Sequence, residues 1–296
     1  MYELIHVKGN TYYMEAPAKT GIFVNDDDTV YIIDTGIDKS QGKKINKLLE
    51  EKGWIPRAII NTHSHVDHMG GNTTVMKKYG CKAYALFSER TFMAIPHLEG
   101  SILYGGYPFK ALRNKMIMAG EACPAESLEE LELPEGFELF PLKGHCFSMT
   151  GVKTPDDVYF IADAIIGENT IEKYHLSYLY NVGEYMETLD SLYELEGKMV
   201  VPSHAPATES ISGLVTKNKD KLISLLEMVK DICETPTSQE DILKIMMDRL
   251  GLVMDINQYV LGGSVVRCYL SYLIDTGDIE AYIEGNKVYW KRRVSE

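Results

Sequence analysis

The sequence predicts an α/β (α+β) fold in packed layers, followed by a small helical module. Three observations carry the prediction. Short apolar runs bounded by turn residues alternate with segments of helical period through the first two-thirds of the chain. Several of these runs stop on Asp or His, as at Asp34, Asp163 and His204. From residue 237 onward the alternation gives way to helix, helix and hairpin.

The elements follow in order. Tyr2–Val7, Thr11–Glu15 and Gly21–Asn25 are candidate strands, and Asp26-Asp27-Asp28 turns the chain into Thr29–Asp34, whose Val-Tyr-Ile-Ile suits a buried strand. Lys39–Lys52 has Ile45, Leu48 and Leu49 at helical spacing. Ala58–Asn61 is a strand, Asn72–Tyr79 a helix after Gly70-Gly71, and Cys81–Leu86 a strand. Residues 97–126 break the pattern with Tyr104-Gly105-Gly106-Tyr107-Pro108-Phe109. A long aromatic loop with little regular structure reads as an active-site cover or an interface. Regularity returns with strands at Glu138–Leu142 and Val158–Ala162, a helix near Glu184–Glu196 and the strand Met199–Val201. Ile211–Glu234 is a long helix ended by Thr235-Pro236. Gln239–Leu250 and Ser264–Asp275 are helices, and Ile279–Ile283 with Lys287–Lys291 flank Glu284-Gly285-Asn286 as a hairpin. The expected organisation is thus 1–210 as the main domain, 211–236 as a connecting helix and 237–296 as a winged-helix-like module.

The strongest chemical signal is His63-Ser64-His65-Val66-Asp67-His68, directly after Ala58-Ile59-Ile60. Only eight histidines occur in 296 residues, and three of them fall within six positions. Imidazole nitrogen and carboxylate oxygen are the ligands a borderline-soft divalent ion takes. Chain leaving a strand can aim alternate side chains at one point, so His63 and His65 can serve one ion while Asp67 and His68 reach another. Two sites need more ligands, and the sequence offers them at strand ends: His145 after Pro141-Leu142-Lys143-Gly144, Asp163 after Tyr159-Phe160-Ile161-Ala162, and His204 after Met199-Val200-Val201-Pro202-Ser203. Asp34 follows Tyr31-Ile32-Ile33 in the same manner.

Composition excludes several partners. A net charge of −13 is poor electrostatics for general nucleic-acid or anionic-membrane binding. No apolar stretch approaches the ~20 residues that span a bilayer, and the chain start shows no basic-then-apolar leader. Five scattered cysteines fit reduced thiols better than a disulfide frame. The expected location is therefore the cytoplasm.

In these motifs the chain resembles the metallo-β-lactamase-fold superfamily of metal-dependent hydrolases, which includes glyoxalase II, lactonases, some ribonucleases and the lactamases. The resemblance covers about residues 10–210, with the five short motifs of that superfamily in order. It implies a four-layer αβ/βα sandwich with metals at one edge. It implies that His63, His65 and His145 hold one ion, that Asp67, His68 and His204 hold a second, and that Asp163 bridges them. Asp34 would support the ligands from behind. Two ions would share a hydroxide and polarise the scissile bond, with Asp67 placed for proton transfer. Redox members of the superfamily carry Glu at the position of His65 and a flavin domain. Zinc hydrolysis is therefore favoured, with iron or manganese as the other metals such ligands suit.

Several observations bear on the substrate. No export signal supports a lactamase, and no basic pocket for a glutathione carboxylate is visible. The tail suggests a ribonuclease or phosphodiesterase, yet residues 237–296 hold seven Lys and Arg against nine Asp and Glu. A winged-helix regulator with a metal-sensing domain is a further alternative, against which the complete ligand set counts. The tail can also serve as a cover or as a homodimer contact. The favoured reading is a small ester, thioester or lactone, met by Tyr104, Tyr107 and Phe109 with His175, Tyr178 and Tyr180.

Overall fold

The computed structural model describes residues 2–293. A seven-stranded sheet takes its strands in chain order: β1 (Leu4–Lys8), β2 (Thr11–Met14), β3 (Thr20–Val24), β4 (Thr29–Ile33), β5 (Ile55–Ile60), β6 (Lys82–Ala85) and β7 (Glu126–Ser127). The β1–β4 pairs are antiparallel, and β4 to β7 run parallel. Parallel neighbours need crossovers, here α1 (Lys39–Lys52) and, after the short helix α2 (Val66–Met69), α3 (Asn72–Tyr79). Helices α4 (Phe87–Ala94) and α5 (His97–Tyr104) lie between β6 and β7. A second sheet has the order β11-β10-β9-β8, from β8 (Glu138–Pro141), β9 (Thr150–Lys153), β10 (Val158–Ile166) and β11 (Met199–His204). Between its last two strands come α6 (Glu168–Tyr174) and α7 (Val182–Leu192), and after it α8 (Ser212–Ile232), α9 (Gln239–Arg249) and α10 (Ile256–Asp275). A hairpin of β12 (Ile279–Glu284) and β13 (Lys287–Arg292) follows.

Period-two alternation sorts the strand residues between layers. Ile22, Ile32 and Ile59 pack with Ile45 and Leu49 of α1 and Val75 of α3. Their neighbours Phe23, Tyr31, Ile33 and Ile60 turn the other way and meet Val152, Val158, Phe160 and Val201 of the second sheet. That sheet's outer residues, Ile161, Ile165 and Val200, pack under Leu189 of α7 and Val215 of α8. The order helix, sheet, sheet, helix is the expected αβ/βα sandwich. Each of these fully buried aliphatic side chains contributes about 1.5–3 kcal/mol.

The tail shares a core with the sandwich's second helical layer: Leu179 and Val182 pack with Leu226 and Val229 of α8, Ile242 and Met246 of α9, and Val266 and Leu270 of α10. It also touches the 97–126 segment, where Leu103, Leu112 and Ile117 cluster with Val260 of α10.

Several elements differ from expectation for identifiable reasons. Residues 97–104 form a helix where a loop is expected, because Pro96 starts it and Gly105, in the left-handed region, ends it. Only the stretch beyond is irregular, with one 3-10 turn at Lys110–Leu112. Helix α10 starts eight residues earlier than expected, at Ile256, behind an Asp255–Gln258 capping box. Its Gly262 lies under Leu243, where an added Cβ would be 3.1 Å from Cδ1. Strand β10 continues past Asp163 to Ile166, since Ala162 takes a positive φ of 47° and the register shifts around it. Helices α4 and α6 and strand β9 are absent from the sequence-based expectation.

Candidate metal centre

One edge of the sandwich collects the ends of strands from both sheets. The 61–68 segment leaves β5, Asp34 leaves β4, His145 lies in the β8–β9 connection, His204 ends β11, and Asp163 projects from the bulged part of β10. The residues that the sequence marks separately are thereby brought together. His63, His65, His145 and Asp163 offer one ligand atom each within 4.8 Å of one another, and so do Asp67, His68, Asp163 and His204. Asp163 belongs to both groups, one oxygen towards each: Oδ2 is 3.6 Å from His145 Nε2, and Oδ1 is 3.2 Å from His68 Nε2 and 3.4 Å from His204 Nε2. Asp67 Oδ2 stands 3.2 Å from His204 Nε2 and 3.8 Å from His68 Nε2.

The outward nitrogens are tied back. His68 Nδ1 donates to Asp34 Oδ2 at 2.8 Å, and His204 Nδ1 donates to the Pro17 carbonyl at 2.7 Å. His63 Nδ1 donates to Thr62 Oγ1 at 3.1 Å, while that hydroxyl donates to Asp34 Oδ2 at 2.7 Å. Asp34 therefore stands behind one ring directly and behind another through Thr62. His65 turns Nε2 toward Glu99 Oε1, 3.8 Å away.

The inner ring nitrogens converge. His63 Nε2 and His145 Nε2 each lie 3.0 Å from His65 Nδ1. His68 Nε2 and Asp163 Oδ1 are both buried, face each other, and have no hydrogen-bond partner. Buried polar atoms are seldom left so; a cation between them satisfies both. The donor set therefore fits divalent metal ions.

Charges in the site separate the two groups. Burial, then His68 and His65, holds His63 well below the ordinary histidine range. Burial, then His145, drops His65 to about 3, and burial also lowers His145. Burial opposes the charged form of His68, but Asp163, Asp67 and Asp34 outweigh it and raise the ring well above its usual value. Asp163 lifts His204 to about 10. Burial works against the ionised forms of Asp67 and Asp163, yet the His68 and His204 rings hold both down, Asp67 at about 2.

Beside the groups lies a cavity of about 360 Å³. His65, Asp67, His145 and Asp163 form its polar end, and Leu103, Ile117, Met118, Leu176 and Leu261 its apolar walls. Tyr178 lines it, with its ring 5.3 Å from that of His65. Tyr104, Tyr107 and Phe109 are exposed and do not line it; Leu103, Met116, Ile117 and Met118 of the same segment do. His175 lies in a neighbouring cavity, its Nδ1 2.9 Å from Lys221 Nζ, and Tyr180 stacks on Phe147. Two carboxylates escaped the sequence reading. Glu99 lines the cavity, and burial, then Asp67, pushes it up to about 8. Glu89 is fully buried behind the 63–65 turn.

Comparisons with known proteins agree with this picture. Residues 18–204 match the family model described as the metallo-β-lactamase superfamily. A probable metallo-hydrolase from Bacillus subtilis (strain 168) is 28% identical over 197 residues, 64% of this chain and 86% of that protein. A hydroxyacylglutathione hydrolase from Pelagibacter ubique (strain HTCC1062) is 48% identical over 63 residues, 21% of this chain and 26% of the relative. A β-lactamase domain protein from Burkholderia ambifaria shares the fold, with a TM-score of 0.76 at 16% identity over 98% of this chain and 94% of that one. A metallo-β-lactamase family protein from Thermus thermophilus gives 0.70 at 15% identity over 96% and 99%. Among the described residues no helix is long and apolar enough to cross a membrane. Relatives named as hydrolases set aside the reading as a non-enzymatic regulator. The matched region contains both ligand groups and both sheets, and the chain belongs to the metallo-β-lactamase superfamily as a metallo-hydrolase.

Proposed function

We propose that this chain hydrolyses a small, largely apolar ester, thioester or lactone with two divalent ions, zinc in preference to iron or manganese. His63, His65 and His145 would hold one ion, Asp67, His68 and His204 the other, and Asp163 would serve both. The observation that carries the reading is the shared carboxylate: Asp163 turns one oxygen to each group, and the oxygen facing His68 has no hydrogen-bond partner. When bound, such a pair of ions polarises a carbonyl and lowers the pKa of water toward neutrality. The chain's own residues do the rest. Asp67, held ionised by His68 and His204, belongs to the same group as the shared carboxylate and takes the proton role. Asp34, Thr62 and the Pro17 carbonyl accept the ring protons of the outer nitrogens, so that the inner nitrogens are aimed at the ion positions.

Substrate class follows from the cavity. Its walls are mainly aliphatic and methionine side chains, and beyond the ligand groups it has one acidic and one basic residue, Glu99 and Lys115. With a net charge of −13, this favours an uncharged acyl group over a polyanion. The deciding experiment is a hydrolysis panel on zinc-loaded protein spanning lactones, acyl thioesters, phosphodiesters and β-lactams, with His68→Ala as control. Acyl substrates should lead and the control should be inactive. Phosphodiester turnover above acyl turnover would overturn the substrate class, and an active control would overturn the site.

A further inference from the structure

Glu89 has no part in the chemistry proposed above, yet it is 1% exposed. It sits in the first turn of α4, where an acid ordinarily serves the free N–H groups of its own helix. No side chain caps α4. Instead, Glu89 Oε2 accepts the Ser64 backbone N–H at 2.9 Å and the Ser64 hydroxyl at 2.6 Å. Glu89 Oε1 accepts the Ser148 backbone N–H at 2.9 Å. Ser88 completes the cluster: its hydroxyl donates to Ser148 Oγ at 2.6 Å and lies 3.5 Å from Oε1. Burying a carboxylate is strongly unfavourable unless donors replace its water, and here the donors come from two different loops.

Those loops carry the ligands. Ser64 separates His63 from His65, and Ser148 follows His145 by three positions. Each oxygen of one side chain therefore fixes one side of the three-imidazole group, in which His63 Nε2 and His145 Nε2 each lie 3.0 Å from His65 Nδ1. Asp34 reaches that group only through Thr62 and His63, whereas it holds His68 directly.

We infer that Glu89 is the positioning residue of the His63–His65–His145 group, setting the distance between the 63–65 turn and the 145–148 loop and hence the affinity of that group for its ion. The inference rests on the two-ion reading. Glu89→Gln keeps the shape but leaves one acceptor oxygen for two loops, so one backbone N–H meets an amide donor. Glu89→Ala removes both links.

The test uses zinc competition against a chelator, with ion content read by elemental analysis, in backgrounds that isolate each group. In His204→Ala, which weakens the other group, Glu89→Gln should lower the affinity of the remaining ion about tenfold or more, the usual effect of losing an outer partner. In His145→Ala, Glu89→Gln should leave the remaining ion unchanged. Equal weakening in both backgrounds, or none in either, overturns the inference. If Glu89→Ala does not fold, the Gln variant decides, with near-ultraviolet circular dichroism reporting its packing. If neither histidine variant alone loses one ion, the two-ion reading fails, which is distinguishable from failure of Glu89's role.

Discussion

Replacing Asp34 by Asn probes a single buried charge with little else disturbed. Asp34 adopts a left-handed backbone, φ 58°, which Asn tolerates, so the change adds no backbone strain. The carboxylate accepts from Thr62 N at 2.9 Å, Thr62 Oγ1 at 2.7 Å, His68 Nδ1 at 2.8 Å and Asn61 Nδ2 at 3.4 Å. An amide cannot serve all four. With its NH2 on the Oδ1 side it opposes two donors. On the Oδ2 side it forces His68 to move its proton to Nε2, the inward nitrogen that must be bare to bind an ion. Either placement loses a charge-assisted hydrogen bond, about 1.5–3 kcal/mol. Felt at His68, that corresponds to about 10–100-fold weaker binding of the ion proposed for the Asp67, His68 and His204 group. Chelator competition at neutral pH measures the affinity, and urea unfolding of the metal-free protein measures the stability separately. Unchanged affinity with the fold intact would refute the argument that Asp34 keeps His68 Nε2 free.

Two further predictions follow from the same geometry. The acidic neighbours of His68 and His204 favour their charged forms, whereas burial disfavours the charged forms of His63, His65 and His145. Loading the His68–His204 group should therefore release more protons than loading the other; calorimetric titration in buffers of different ionisation enthalpy compares the two, and equal release sinks the assignment. The sign extends to stability: the His204–Asp163 attraction is fully present below the ordinary histidine range and is lost as pH rises through about 10. Gly144→Ala should be severely destabilising, because Gly144 has φ +99° and an added Cβ would lie 2.3 Å from the backbone nitrogen of Tyr185. Backbone strain alone is about 1–3 kcal/mol; an unchanged melting temperature would refute it.

Much of the juxtaposition at the metal centre was legible because its chemistry is written in residue type. Four ligand-type side chains crowd into residues 63–68, and His145, Asp163 and His204 follow apolar runs on the rigid strands beneath them. Glu89 and Glu99 were not legible, since a carboxylate in an ordinary helical segment carries no mark of the loops that will fold over it. The cavity wall was misplaced by one or a few residues: aromatic Tyr104, Tyr107 and Phe109 drew notice, whereas helical periodicity turns Leu103 inward and leaves Tyr104 outside. Glycines hid the start of α10 and the end of α5, as turn chemistry and close helix packing use the same residue.

The contact between the tail and the 97–126 segment ties the shape of the cavity to a second element. The family match ends at residue 204, but Leu261 of α10 lines the cavity beside the metal groups. Arg267 of the same helix donates to the Leu103 carbonyl at 3.1 Å, and Asn114 donates to Asn257 at 2.9 Å. The roof of the cavity is thus hung from an element outside the shared signature. A substitution in α10 that moves Leu261, or one in residues 103–118 that moves the Leu103 carbonyl, therefore alters the cavity wall without touching any of the proposed ligands.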